Sequence, residues 1–275
     1  MNLFYSLALR ISVAFVALGL LVSIVDAADA EQSALSATDL ASRLSALRDG
    51  ASYVRLRVQV KEPVDTTKIT LQVQIKERRS KTAADVVYQV LWPKERKGEA
   101  LLLHKAAGSS PAGSLFMPPD KLTTLNASQM NGSLFGSDLS YEDVIENFFS
   151  WENQAIAGNE TVNRVNCVIL ESKPGKGDPS TYASVRSWID PRRVVPLRVE
   201  KYLPGGRLAR RIETTRVATD DKGHAIPAGL TVRSPREGSL TELDGSRIRH
   251  DVSFTDREFT PEGLREIAVP PSAQE

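Results

Sequence analysis

Residues 53–60, Tyr-Val-Arg-Leu-Arg-Val-Gln-Val, and residues 68–76, Lys-Ile-Thr-Leu-Gln-Val-Gln-Ile-Lys, decide the fold. In the first, Val54, Leu56, Val58 and Val60 alternate with Tyr53, Arg55, Arg57 and Gln59. In the second, Ile69, Leu71, Val73 and Ile75 alternate with Thr70, Gln72 and Gln74. A period of two places each apolar set on one face of an extended chain, the pattern of a half-buried β-strand. Together the two stretches predict a long hairpin.

Upstream of this hairpin the period is 3.6. Ser36-Ala-Thr-Asp39 reads as a capping-box-like helix start, Leu40, Leu44 and Leu47 share a face, and Gly50 ends the helix. Downstream, further strands are expected at 85–92, 99–104, 161–171, 183–189, 194–202, 208–217, 230–233 and 248–254. Breakers such as Pro204-Gly205-Gly206 and Asp220-Asp221-Lys222-Gly223 separate several of them. A second helix is expected over 141–150, opened by Ser140-Tyr-Glu-Asp143, with Tyr141, Val144, Ile145 and Phe148 on one stripe and Phe149 beside it. The chain is therefore mainly β with few helices. So many antiparallel strands at short spacing imply a barrel or a strongly curved sheet, because a flat sheet would expose long edges. No repeat or linker divides the strands, so residues 28–275 read as one domain.

Residues 1–27 read as a cleaved secretory signal peptide: Arg10 precedes an apolar run from Ile11 to Val25, and the small-residue site Val25-Asp26-Ala27 follows. That run falls short of the roughly 20 residues a membrane-spanning helix needs. No cysteine lies near the cleavage region to carry an acyl anchor, so the exported protein is expected to be soluble and periplasmic.

The 275 residues are 41% hydrophobic and 25% charged, enough apolar material for a sizeable core and against intrinsic disorder. Thirty-five Lys and Arg against thirty-four Asp and Glu leave a net charge of +1, which argues against a nucleic-acid binder. A single cysteine, Cys167, and three dispersed histidines give no Cys/His metal cluster and no intramolecular disulfide. His104, His224 and His250 have no catalytic motif around them, and the familiar hydrolase, metalloprotease, phosphate-loop and dinucleotide signatures are absent from the sequence. No catalytic residue, no metal site and no cofactor is expected. Glu142 and Asp143 can be imagined as a carboxylate pair, but their place at a helix start gives them a capping task. Cys167 alternates with Val165 and Ile169 and reads as a small buried hydrophobe. From Arg186 to Arg216 nine basic residues face three acidic ones, a net +6. Arg186, Arg198 and Arg210 on adjacent strands would suit an anionic headgroup or an acidic partner, or would simply form a solvated outer face.

At Phe135-Gly-Ser-Asp-Leu-Ser-Tyr-Glu-Asp-Val144, and at Trp188-Ile-Asp-Pro-Arg-Arg-Val-Val-Pro-Leu-Arg-Val-Glu200 followed by Tyr202 and Gly205-Gly206, the sequence resembles the outer membrane lipoprotein-sorting proteins. These are similar to the periplasmic lipoprotein carrier LolA and the receptor LolB. The resemblance spans most of the mature chain. It implies an incomplete antiparallel β-barrel with a helical lid over an apolar cavity that holds acyl chains. It also implies a non-enzymatic, chaperone-like carrier of lipid or lipoprotein acyl chains, monomeric, which meets an inner-membrane transporter or an outer-membrane receptor. On this reading Leu56, Val58, Leu71 and Val73 line the sheet side of the cavity. Tyr141, Ile145, Phe148 and Phe149 line a loosely packed lid that exchanges its own contacts for lipid. The competing expectation is a lipid-responsive sensor or accessory interaction module of an envelope transport system on the same fold.

Overall fold

The computed structural model describes residues 36–62, 67–234, 238–245 and 247–267. The expected signal peptide lies outside the described residues. No described helix is long and apolar enough to cross a membrane.

Helix α1 (Ala37–Ala46) starts where the Ser36 hydroxyl accepts the Asp39 backbone N–H at 3.0 Å, and it buries Leu40, Ala41 and Leu44. The chain then turns into β1 (Gly50–Lys61) through Gly50, whose φ of +100° suits a residue without a Cβ. β1 pairs antiparallel with β2 (Thr67–Arg79), setting Val54 against Ile75, Leu56 against Val73, Val58 against Leu71 and Val60 against Ile69. This register puts both apolar alternations on one face; a slip of one residue would turn one of them to the opposite side.

From β2 a meander continues through β3 (Ala83–Trp92), β4 (Ala100–Ala106), β5 (Ala112–Met117) and β6 (Lys121–Leu125). A long connection carries helix α2 (Tyr141–Ile145) and leads to β7 (Asn153–Val162). The second meander then runs through β8 (Val165–Lys173), β9 (Ser184–Asp190), β10 (Val195–Tyr202), β11 (Leu208–Thr219), β12 (Ala225–Arg233) and β13 (Leu240–Asp244). β13 pairs with one stretch of the free edge of β1, and β14 (Ile248–His250) pairs with another. The result is one curved antiparallel sheet of fourteen strands whose end strands, β6 and β7, are not joined to each other. The expected fold class, mainly β with an unclosed barrel-like sheet, is what the chain adopts.

Three local expectations are corrected. The stretch 161–171 is a hairpin corner and not one strand: β7 ends at Val162, Asn163 and Arg164 take φ of 50° and 67°, and β8 begins. Two consecutive left-handed residues match the twist of a tight hairpin, and here they come without glycine. The strand expected over 248–254 is limited to Ile248–His250, and β5, β6 and β13 are additions. The helix expected over 141–150 stops at Ile145; Glu146 is extended, and a short 3-10 turn follows at Phe148–Ser150. Arg79 donates to the Val144 and Ile145 carbonyls at 3.0 and 2.9 Å, and Arg48 to the Glu146 carbonyl at 3.0 Å. These side chains take over acceptors that a further helical turn would have used.

The inner face of the hairpin forms the main core with β3, β4 and the connection: Leu71, Val73, Val86, Val90, Leu101 and Leu103 are all almost fully buried. The outer face is covered as well. Gln74, Lys76 and Gln89, polar positions of the alternation, are buried under the C-terminal segment together with Phe259 and Leu264. The buried amides are hydrogen-bonded, as such groups must be. Tyr53 Oη donates to Gln74 Oε1 at 3.0 Å, Gln74 Nε2 to Gln89 Oε1 at 2.8 Å, and Gln89 Nε2 to the Leu264 and Glu266 carbonyls. Lys76 Nζ meets Glu258 at 2.8 Å.

Candidate functional site

The connection 126–152 straps across the inner face of the sheet. Its tight bend uses Phe135 and Gly136 at positive φ, with Leu134 N–H donating to the Leu139 carbonyl at 2.8 Å. Tyr141 then packs on Gly132, where an added Cβ would lie 2.6 Å from the ring. Only glycine allows that approach. α2 begins in a capping box: Asp143 N–H donates to Ser140 Oγ at 3.2 Å, and Ser140 N–H donates to Asp143 Oδ2 at 2.8 Å.

Capping is only part of what the acidic residues of this strap do. Asp138, buried, accepts from the hydroxyls of Ser239 at 2.6 Å and Thr241 at 2.7 Å, which ties the strap to β13. Glu142, also buried, accepts from Ser180 Oγ at 2.6 Å, from the Thr181 N–H at 2.9 Å and from the Thr181 hydroxyl, just before β9. Asp143 is fully shielded and meets Lys201 Nζ at 2.8 Å, Arg210 at 3.4 Å and the Tyr182 hydroxyl at 2.7 Å. Burial pushes the Asp143 carboxyl up. The Lys201 ammonium and the Ser140 and Tyr182 donors outweigh it and hold the group below the usual carboxylate range. The same burial and the neighbouring carboxylate push the Tyr182 phenol well above its ordinary value. The lid is thus pinned by three buried carboxylates.

Beneath the strap lies a partly open cavity of about 250 Å³. The hairpin contributes Leu56, Val58, Val73 and Ile75 to its wall, the returning strands contribute Ile212, Val232 and Leu243, and the strap contributes Leu134 and Val144. Arg48, Glu77, Tyr88, Ser137 and Asp143 interrupt this aliphatic lining with polar groups. Burial, reinforced by Arg79, lowers the Arg48 guanidinium to about 10, a value at which it is still cationic at neutral pH. Burial pushes Glu77 up, but Arg79 and Arg48 outweigh it and keep the carboxylate ionised. The cavity therefore pairs apolar walls with fixed charged groups.

Of the residues singled out in the sequence, Leu56, Val58 and Val73 border the cavity. Leu71, Tyr141 and Ile145 lie in the same core cluster without forming its wall. Phe148 and Phe149 sit elsewhere, with ring centroids 4.4 Å apart; Trp151 lies 6.2 Å from Phe148, and Lys201 Nζ is 5.5 Å from the Phe148 centroid. The basic residues do not share one surface. Arg186 pairs with Glu171 at 2.9 Å, and Arg198 with Glu160 at 3.1 Å while covering Trp188. Arg210, one residue out of phase across β10 and β11, points inward to Asp143. Sequence reasoning missed Arg48 and Glu77. Arg48 follows a helix in a polar setting; Glu77 continues the inward phase of Leu71, Val73 and Ile75 along β2, which is the signal that could have found it.

The chain shares its unclosed, curved antiparallel sheet with structures described as outer membrane lipoprotein-sorting and LolA superfamily proteins. A structure described as an outer membrane lipoprotein-sorting protein domain from Vibrio parahaemolyticus matches at 20% identity and TM-score 0.74, over 84% of this chain and 98% of that one. A LolA superfamily protein from Nitrosomonas europaea matches at 18% identity and TM-score 0.66, over 82% and 98%. A DUF1329 family protein from Desulfovibrio piger matches at 24% identity and TM-score 0.75, over 83% and 97%. The chain belongs to the family whose model, described as "Uncharacterized protein", matches residues 83–266, from β3 to the C-terminal segment. No curated protein matches it.

Proposed function

We propose that this protein is a non-enzymatic periplasmic carrier that shelters an acyl chain of a lipid or lipoprotein in the strapped cavity and passes it on towards the outer membrane. After loss of residues 1–27, the remaining chain works as one carrier domain. The observation that carries this reading is the aliphatic wall of Leu56, Val58, Val73, Ile75 and Val144, with Arg48 set beside it. Each methylene moved from water to such a wall gains about 0.8 kcal/mol, so even a partly inserted chain is held firmly. The Arg48 cation takes the polar or anionic end of the same molecule, and the hairpin face takes its tail. The lipoprotein-sorting and LolA superfamily descriptions of the structural neighbours support the same reading.

The test is displacement of a fluorescent fatty-acid probe from the purified protein. Leu56→Trp fills the cavity from its wall and is expected to lower probe affinity at least tenfold while the circular dichroism of the sheet is retained. Unchanged affinity in a folded Leu56→Trp protein would place the ligand elsewhere and overturn the proposal.

A further inference from the structure

The β11–β12 turn brings together side chains that lie far apart in the sequence. Asp220 opens the turn; its Oδ1 accepts the backbone N–H groups of Lys222 at 2.9 Å and His224 at 2.7 Å. The Asp220 side chain is only 2% exposed, and its second oxygen, Oδ2, makes no hydrogen bond among the described residues. That oxygen faces two imidazole nitrogens, His224 Nδ1 at 3.4 Å and His250 Nε2 at 3.8 Å. His250 lies at the end of β14, against the turn, and is clamped twice by Asp221: Oδ2 accepts its backbone N–H at 2.8 Å, and Oδ1 meets Nδ1 at 2.5 Å. A carboxylate on Nδ1 fixes the tautomer with the proton on that nitrogen. His250 Nε2 then stands 3.8 Å from Asp220 Oδ2, across a gap too wide for a direct hydrogen bond.

Two acceptors held face to face call for a cation between them. Zinc bonds of about 2.0–2.2 Å at tetrahedral angles separate neighbouring ligand atoms by roughly 3.2–3.6 Å, close to the spacings seen around Asp220 Oδ2. We propose that Asp220 Oδ2 and His250 Nε2, joined by His224 Nδ1, bind a first-row divalent transition metal, with Asp221 as the residue that orients His250. Asp220, Asp221 and His250 bring ligand atoms within 4.8 Å of one another; His224 stands outside that group, is half-exposed and would turn about its side-chain bonds to complete the set, with water in the fourth position. Nitrogen and carboxylate ligands suit zinc and its neighbours better than calcium or magnesium. A metal here joins the β11–β12 turn to the strand beside β1, away from the cavity, so the site stands or falls independently of the carrier reading. The sequence suggested no metal site because its histidines are dispersed, and only the pairing of β14 with β1 brings His250 to the turn.

The experiment is calorimetric titration of Zn²⁺ into the chelator-treated whole protein. The expected result is one saturable site that is lost in both Asp220→Asn and His250→Gln. The asparagine keeps a side-chain acceptor for the Lys222 and His224 N–H groups, so the turn is retained. Asp221→Asn is expected to weaken binding about 10–100-fold, as loss of an orienting carboxylate does. His104→Gln, at an unrelated histidine, is expected to leave it unchanged. Absence of saturable binding, or equal binding by Asp220→Asn and His250→Gln, would overturn the site.

Discussion

The inner face of the sheet is filled in two different ways. Over β1, β2, β12 and β13 the side chains are aliphatic, and the strap leaves a cavity between itself and Val58, Val73, Val232 and Leu243. Beyond Asp143, which borders the cavity and pairs with Lys201 of β10, the buried side chains are Phe148, Phe149, Trp151 and Tyr182. The contrast shows how one lid can be both fixed and under-packed. Directional electrostatics hold the strap at both ends, through Asp138 on Thr241 of β13 and Asp143 on Lys201 of β10, so its position does not depend on dense packing over the cavity. Had the cavity end been filled to the usual density of a protein interior, there would be no room for a guest.

The first way to break this comparison is to remove the pin. Asp143→Ala leaves Lys201 shielded and without its counter-charge, and equilibrium urea unfolding should show a loss of about 3–5 kcal/mol. A loss under about 1 kcal/mol would mean that the strap is held by its apolar contacts after all. Next comes a matched pair on the hairpin, Leu71→Ala and Leu56→Ala. Leu71 is 1% exposed and tightly packed, so its truncation should cost about 2–5 kcal/mol. Leu56 already borders empty space, and its truncation should fall at or below about 2 kcal/mol. Equal losses would erase the difference in packing.

The pH dependence sharpens the same comparison. The folded Asp143 carboxyl is held below its unfolded value of about 3.9, so the unfolded chain takes up that proton first. Its contribution is fully present above about pH 4 and is lost as the pH falls through the depressed folded value. Asp143→Asn is expected to flatten the acid limb of a stability-versus-pH curve, while Leu56→Ala leaves its shape unchanged. The smallest effect is expected outside. Arg186 is 46% exposed and pairs with Glu171 in solvent, so Arg186→Ala should change the unfolding free energy by no more than about 1 kcal/mol.

Legibility in the sequence followed the same division. The hairpin could be read residue by residue because burial on the inner face imposes strict alternation, and the register of β1 on β2 is what that alternation demands. Leu56, Val58 and Val73 reached the cavity for that reason. The helix beyond Tyr141 was over-extended because its apolar spacing continues to Phe148, whereas its end is set by Arg79 and Arg48, which arrive from distant parts of the chain. The turn at Asn163 and Arg164 carries no glycine to mark it, and β5, with Ala112, Gly113 and Ser114, lacks the β-branched residues that mark a strand. The roles of Asp138, Glu142 and Asp143 as anchors were hidden because a residue at a helix start already has a local explanation; their partners Thr241, Thr181 and Lys201 come from elsewhere in the fold. Gln74 sits on the polar side of the alternation, and nothing in the hairpin's own pattern signals the C-terminal segment that buries it together with Gln89.

The central claim is that the under-packed end of the strap holds an acyl chain. Native mass spectrometry of the mature protein purified from its own cell envelope, with extraction of whatever remains bound, tests it most directly. The account predicts a stoichiometric lipid or acylated protein on the wild type, sharply depleted in Leu56→Trp. A ligand-free mass that stays unchanged after incubation with envelope lipids would contradict it.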